Sequence, residues 1–590
     1  MIRTLNIGTG AVYAFLALLL IISRIPFPAS VPASVDVGIA IVFCLAVFQL
    51  SFGWQAVRTA LVALAGFFVL LLVWAYGTSS LFSPGDDEYA YHLTAIWDLA
   101  AGWHPFFTAH DNIWVDSYPS GNWVLESYIV ALTGLPLSGQ SLKTGLAAVL
   151  AVQVYALCAE YFPIANIKWR HIWATLFALL VIGNPVVITQ LLTHYTDAPV
   201  YLFGAGLVFF LMSDALNPDR LAKIGIFSCI ILLVNVKTAA LYYVPLLVFG
   251  GLVMEMVLHK SEPAFLRRVF GWVFSKGVAY GLIAIFATVV VGYKPYVTNL
   301  LDHQELLYPS VRDIMSYNFP ANLIGKSTVE KFFYGIFGRT GQTFWPVVFD
   351  TPLQLKIPGS FYLSEFKALR FDTRRAGFGP MFSLAFITAI LAYAGCKLAS
   401  LKGGNTISTT AATRGDSIAA LALLLLVISI FFPESWWARY VPFTWLSIVL
   451  FAAATLFYAA DSKVGKSLSL LRWVAVISLL LCTLAATLGA GRQLLIVHRL
   501  TNAVLAQKDL PVIEFYVEED PRIHLDRQST TISDADEIWA KLFSLRGVNA
   551  RVMSNGDRAE ENPEVCDVYG YLEAHVFWCG YKAAQKPARN

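Results

Sequence analysis

The chain has 590 residues, 57% of them hydrophobic and only 14% charged, with a formal net charge of +3. A soluble domain carries roughly 25% charged residues, so a string of ordinary soluble domains is excluded and lipid is the main solvent. The charge balance is also too mild for a nucleic-acid binder, and what matters is where the charges sit.

A membrane-spanning helix needs about 20 mostly apolar residues. Thirteen stretches are expected to span: 7–23, 35–51, 57–77, 143–162, 172–191, 198–214, 223–236, 239–257, 277–293, 379–398, 417–432, 441–459 and 471–490. The first resembles a signal peptide, although Arg3 as its sole early charge also suits an uncleaved anchor. The segment 122–136 (NWVLESYIVALTGLP) is apolar but too brief to cross, and is expected as a re-entrant or interfacial helix. In the tail, PVIEFYVEE and VYGYLEAHVFW alternate as strands do, and DADEIWAKLFSL between them reads as a helix. The expected fold is mainly α: a polytopic transmembrane bundle over 1–490, with loops 78–142 and 293–378, and a small α+β domain over 491–590.

Basic residues gather in alternate loops: Arg58; Lys168 and Arg170; Arg220 and Lys223; Lys260, Arg267, Arg268 and Lys276; Lys397, Lys402 and Arg414; Lys463, Lys466 and Arg472. The positive-inside rule makes these loops cytoplasmic. The N-terminus is then expected inside, and the two long loops and the C-terminal domain outside. Five cysteines lie in apolar segments as small hydrophobes, whereas Cys566 and Cys579 sit in the polar tail and suit an extracytoplasmic disulfide.

The stretch SPGDDEYAYHLTAIWDL (83–99) directly follows the third apolar run. From Ser79 to Gln140 there are seven acids and no Lys or Arg. One acid suffices to cap a helix, so Asp86, Asp87 and Glu88 together exceed that need. Ionisable groups at a membrane boundary are functional candidates. The cluster suits either a general base beside an acceptor hydroxyl or a hard divalent cation such as Mg²⁺ or Mn²⁺, with Asp87, Glu88 and Asp197 as candidate ligands. Asp197, in LLTHYTDAPVYLF, falls on the same side and is otherwise a cap for the helix at Ala198. Tyr91, His92 and His194 lie beside these acids. Lys237, Lys294 and Arg439 are solitary outer cations; snorkelling accounts for any one, while together they make a phosphate-binding set. Tyr118, Trp123 and Trp345 are candidates for sugar stacking or for the interfacial aromatic belt.

An acidic motif in the first large outer loop, followed by a second acid in a later outer loop, resembles the GT-C superfamily of polytopic membrane glycosyltransferases. Here the matching residues are Asp87-Glu88, preceded by Asp86, and Asp197. The segments DEYAYHL, YPSGNWVL, GYKPYVTN, AGFGPMF and WWARYVP are similar to a bacterial family of this general kind, over residues 57–460. Two expected helices, rather than none, precede the helix leading into the acidic loop, a departure from the usual pattern. The resemblance implies transfer of a sugar from a polyprenyl-phosphate donor to a glycan or lipid acceptor, with inversion and Asp87 as base, at the bacterial inner membrane during cell-envelope assembly. It does not imply a metal, since members of the superfamily differ in that. Two other readings remain. One is a transporter or flippase of lipid-linked saccharides, which would place ionisable groups near the midplane, often within repeats. The other is a non-catalytic assembly protein with a degenerate site.

Overall fold

The structure is a computed structural model that describes residues 1–25, 31–85, 87–309, 321–341, 354–402, 409–458, 463–517, 535–552, 566–573 and 576–581. Asp86 and Trp345 lie outside the described residues.

Three long helices open the chain: α1 (Ile2–Ile22), α2 (Ala33–Phe52) and α3 (Trp54–Thr78). The acidic loop then folds into short helices, α4 (Leu93–Ala100), α5 (Ile113–Ser117) and α6 (Gly121–Thr133). Next come α7 (Ser141–Tyr161), α8 (Ile167–Ile182), α9 (Pro185–Gln190), α10 (Asp197–Leu216), α11 (Arg220–Val234) and α12 (Ala240–Leu258). A long helix interrupted by π turns includes α13 (Phe265–Trp272) and α14 (Val278–Phe286), and the second loop carries α15 (Thr298–His303) and α16 (Thr328–Ile336). The bundle closes with α17 (Phe382–Lys402), α18 (Thr409–Ile430), α19 (Phe443–Ala454) and α20 (Lys463–Leu505).

This is a polytopic membrane protein. Ten helices among the described residues are long and apolar enough to cross a bilayer, by length and composition. The other three of the thirteen expected spans are helical but shorter. The run expected at 172–191 is divided, because α8 ends at Ile182 and Asn184 caps a new helix with Pro185 in its first turn. The helix at 223–236 stops at Val234 after 15 residues, and the last short one runs from Phe443 to Tyr458 after Pro442. The segment expected to be too brief to span forms α6, 13 residues packed against α4.

Burial separates the centre from the periphery. In α10, 89% of the apolar window is buried, against 17% in α2 and 11% in the Phe265–Val291 helix, so α10 is the axis and the other two face lipid. Asp416 takes Lys260 and Lys397, Lys276 pairs with Asp214 at 2.7 Å, and Arg414 and Arg472 cover Tyr161 and Trp173. These charged loops gather at one end of the bundle, while the acidic loop and the start of α10 lie at the other.

α20 has 43 residues. At 1.5 Å per residue that is about 65 Å, roughly twice the hydrocarbon thickness, so the helix runs on past residue 490 towards the C-terminal domain. That domain has four strands, β1 (Val512–Val517), β2 (Ala550–Val552), β3 (Val568–Glu573) and β4 (Val576–Tyr581), in the order β2-β1-β4-β3. β1 and β2 are parallel, and the remaining pairs antiparallel. Helix α21 (Ala535–Ser544) packs on β1 and β2. A disulfide joins Cys566 to Cys579 of β4.

Candidate functional site

Asp87 stands at the mouth of a π-helical turn, Glu88–His92, that runs into α4. Such turns are rare and frequent at functional sites. The backbone approaches Tyr195 closely just before it: a Cβ on Gly85 would lie 2.4 Å from the Tyr195 ring. The Asp87 N–H donates to the Tyr195 hydroxyl at 3.1 Å. The Asp87 carboxylate makes no capping hydrogen bond, its side chain is 38% exposed, and Arg439 Nη1 lies 3.5 Å away.

Asp197 opens α10 yet does not cap it. Gln190, at the end of α9, does so instead: its Oε1 accepts from Ala198 N–H at 2.9 Å while its Nε2 donates to Asp197 Oδ2 at 3.1 Å. The other Asp197 oxygen takes the Lys237 ammonium. Lys237 belongs to the turn between α11 and α12. That turn is tied to α6, because Gly121 N–H donates to Asn235 O at 2.8 Å and a Cβ on Gly121 would clash with that oxygen at 2.5 Å.

Arg439 joins the acids. Beyond Asp87 it lies 3.9 Å from Asp197 and 3.3 Å from Asp372, with its guanidinium 3.9 Å above the Trp437 ring. None of the three contacts closes to a hydrogen bond, and Nε is buried without a partner. Arg374 pairs with Asp372 at 3.3 Å and also covers Trp437. Tyr440 completes the wall, with Lys237 4.3 Å above its ring. Three aspartates therefore face Arg439, Lys237 and Arg374, and the formal charges balance.

Electrostatics follow from this packing. Partial burial pushes the Asp87 carboxyl above its ordinary value; Arg439 opposes the rise, and Asp372 and Asp197 reinforce it. Burial works against the Lys237 ammonium, but Asp197, Tyr118 and Tyr440 together hold the group above its ordinary value. Arg439 is likewise held up against burial by Tyr440 and the three aspartates. Burial raises the Tyr118 phenol to about 12.

The other residues expected at the site fall around this cluster. Glu88 is fully buried and engaged elsewhere: it bonds Ser83, the His194 N–H at 2.9 Å and His194 Nδ1 at 2.6 Å. His92 is buried, accepts from Trp123 Nε1 at 2.7 Å, and is pushed well below its ordinary value by burial and then by Lys143. Its partner Trp123 is fully buried and offers no face to a sugar. Tyr91 packs beside His92 and Trp114. Lys294 pairs with Asp116, apart from the three aspartates around Arg439. Asp87, Glu88 and Asp197 do not form one metal-ligand set; among the described residues no group of three or more His, Cys, Asp or Glu side chains is disposed to hold an ion. The Asp197 oxygens are engaged by Lys237 and Gln190.

Four residues escaped the sequence reading. Asp372 sits in RFDTRR, a lone acid among three arginines. Gln190 carried no signal. Lys143 and Glu126, both fully buried, pair at 2.8 Å, and Lys143 also donates to Thr193 O at 2.7 Å in the turn before α10. A lysine opening an apolar run beside a glutamate in a short apolar helix was the available sign.

No family model matches the chain. No curated protein matches it either. Among solved structures, ArnT from Cupriavidus metallidurans bound to undecaprenyl phosphate overlaps 84% of this chain and 86% of its own, at 12% identity and a TM-score of 0.32. An overlap that slight assigns no residue a role.

Proposed function

We propose that this protein is an inverting glycosyltransferase of the extracytoplasmic face of the bacterial inner membrane. It would move a sugar from a polyprenyl-phosphate donor to a glycan or lipid hydroxyl in envelope assembly. The observation that carries the reading is Arg439: a guanidinium 11% exposed, surrounded by three carboxylates, whose buried Nε has no hydrogen-bond partner among the described residues. A guanidinium fork so placed suits a phosphate, and the neighbouring Asp87 suits a base.

Asp87 takes the proton from the acceptor hydroxyl, whose oxygen attacks the anomeric carbon as the bond from that carbon to the phosphate oxygen breaks. A single displacement inverts the centre. The donor phosphodiester carries one negative charge and the released monoester a second, while Asp87 loses its own. The charge inside the site is constant through the step, so no uncompensated charge develops where it would be costly. Arg439 faces the developing phosphate charge, and Lys237 holds the Asp197 carboxylate in place.

The test is sugar transfer by purified protein from a panel of polyprenyl-phosphate sugars, wild type against Asp87→Asn at matched folding. Transfer that falls at least 100-fold in the variant is the expected result. Undiminished transfer would remove Asp87 as the base. Absence of transfer from every donor, with lipid-linked saccharide crossing vesicles, would replace the transferase by a transporter.

A further inference from the structure

The C-terminal domain spends aromatic surface on the acidic loop as well as on its own sheet. Trp539 of α21, 1% exposed, stacks on Tyr89 with ring centroids 4.0 Å apart and on Phe82 at 5.5 Å. Phe543 meets Phe82 at 5.3 Å on one side and Phe515 of β1 at 5.4 Å on the other. Arg546 lies 3.9 Å above Phe82 and donates to Ser79 O at 3.3 Å, and Lys541 lies 4.5 Å above Trp97 of α4. Sheet, helix and acidic loop thus share one apolar core.

Phe82 and Tyr89 bracket Asp87, five residues before it and two after. Tyr89 also donates to Ser83 O at 2.8 Å, and Ser83 bonds Glu88, so the chain between the two rings is closed on itself. Among the described residues, Asp87 donates its N–H to the Tyr195 hydroxyl and makes an open contact with Arg439. The two rings on either side of Asp87 both stack on Trp539.

We infer that the C-terminal domain is a positioning element for the acidic loop, acting through Trp539, whose stacking on Tyr89 and Phe82 fixes Asp87 opposite Arg439. Its rate consequence rests on the transferase reading; its structural consequence does not. A displacement of about 1 Å at a reacting group costs up to about 100-fold in rate.

The experiment uses the full chain in detergent or nanodiscs and compares wild type, Trp539→Ala, Trp539→Phe and the exposed-site control Leu545→Ala. Amide exchange over residues 79–92 should quicken at least tenfold in Trp539→Ala while α10 keeps its protection. The kcat for sugar transfer should fall about 10- to 100-fold with the donor KM within threefold, and Trp539→Phe should recover most of both. Unchanged exchange at 79–92, or equal loosening of α10, overturns the inference. If Trp539→Ala does not fold, Trp539→Phe and Lys541→Ala decide, since exchange at 79–92 must rise ahead of exchange in α10 or the inference falls. Faster exchange at 79–92 in a protein whose wild type transfers no sugar leaves this inference standing and removes the transferase reading alone.

Discussion

Asp372→Asn is the most informative change at the site, because each of its effects on Asp87 has the same sign. Asp372 repels negative charge on Asp87, competes for Arg439 and engages Arg374. Removing its charge deletes the repulsion, lets Arg439 turn to Asp87 and frees a second guanidinium. Arg439 Nη1 touches both carboxylates, at 3.5 and 3.3 Å, so they are at most about 7 Å apart. At that separation unit charges interact by ~0.6 kcal/mol at the dielectric of water and ~2.4 kcal/mol at an effective value of 20. The Asp87 side chain is 38% exposed, and solvent screening keeps the result in the lower half of that range, about 0.5 to 1 pKa unit. A general base acts when ionised, so transfer rises as pH passes upward through the Asp87 pKa. The acid limb of kcat/KM in Asp372→Asn should therefore lie about 0.5 to 1 pH unit below that of wild type. The displacement should shrink as salt rises towards 1 M, where the Debye length is about 3 Å. A limb that stays in place, or moves to higher pH, would refute the coupling of Asp372 to Asp87.

Other consequences follow from buried contacts. Lys143→Met strands the Glu126 carboxylate away from water and should cost about 3–5 kcal/mol in denaturant unfolding, much of it regained in Lys143→Met/Glu126→Leu; a double variant no better than the single would refute the pairing. Gln190→Leu deprives Ala198 N–H of its cap and Asp197 of a hydrogen bond, and should cost about 1–3 kcal/mol in the same assay. Reducing the Cys566–Cys579 bridge, which spans 13 residues of sequence, should lower the stability of the C-terminal domain by about 2–4 kcal/mol. Limited proteolysis with and without reductant reads that loss, and fragments arising from the bundle before the C-terminal domain would contradict it.

The sequence by itself determined that the chain lives in lipid, where its helices run and which residue types crowd its acidic loop. Those properties depend on composition and on local periodicity, which a linear reading records. It overstated the spans, since Gly183, Asn184 and Pro185 break a helix that hydropathy alone draws as continuous. It also singled out Asp87, Asp197, Lys237 and Arg439, which the structure brings into contact, because isolated charges beside hydrocarbon are costly and therefore conspicuous.

Tertiary structure alone decided which of these charges meet. Asp197 and Lys237 are 40 positions apart and Arg439 lies about 240 beyond Asp197, so their convergence depends on the packing of α10, α11, α12 and α19. The same packing set Glu88 against His194 and Lys294 against Asp116, although each looked as eligible as Asp87 or Arg439 in the linear pattern. Trp539 shows the limit most plainly. An aromatic residue in an amphipathic tail helix looks like the core of its own small domain, and only the docking of that helix 450 residues from Tyr89 in the chain gives it a place beside the acidic loop.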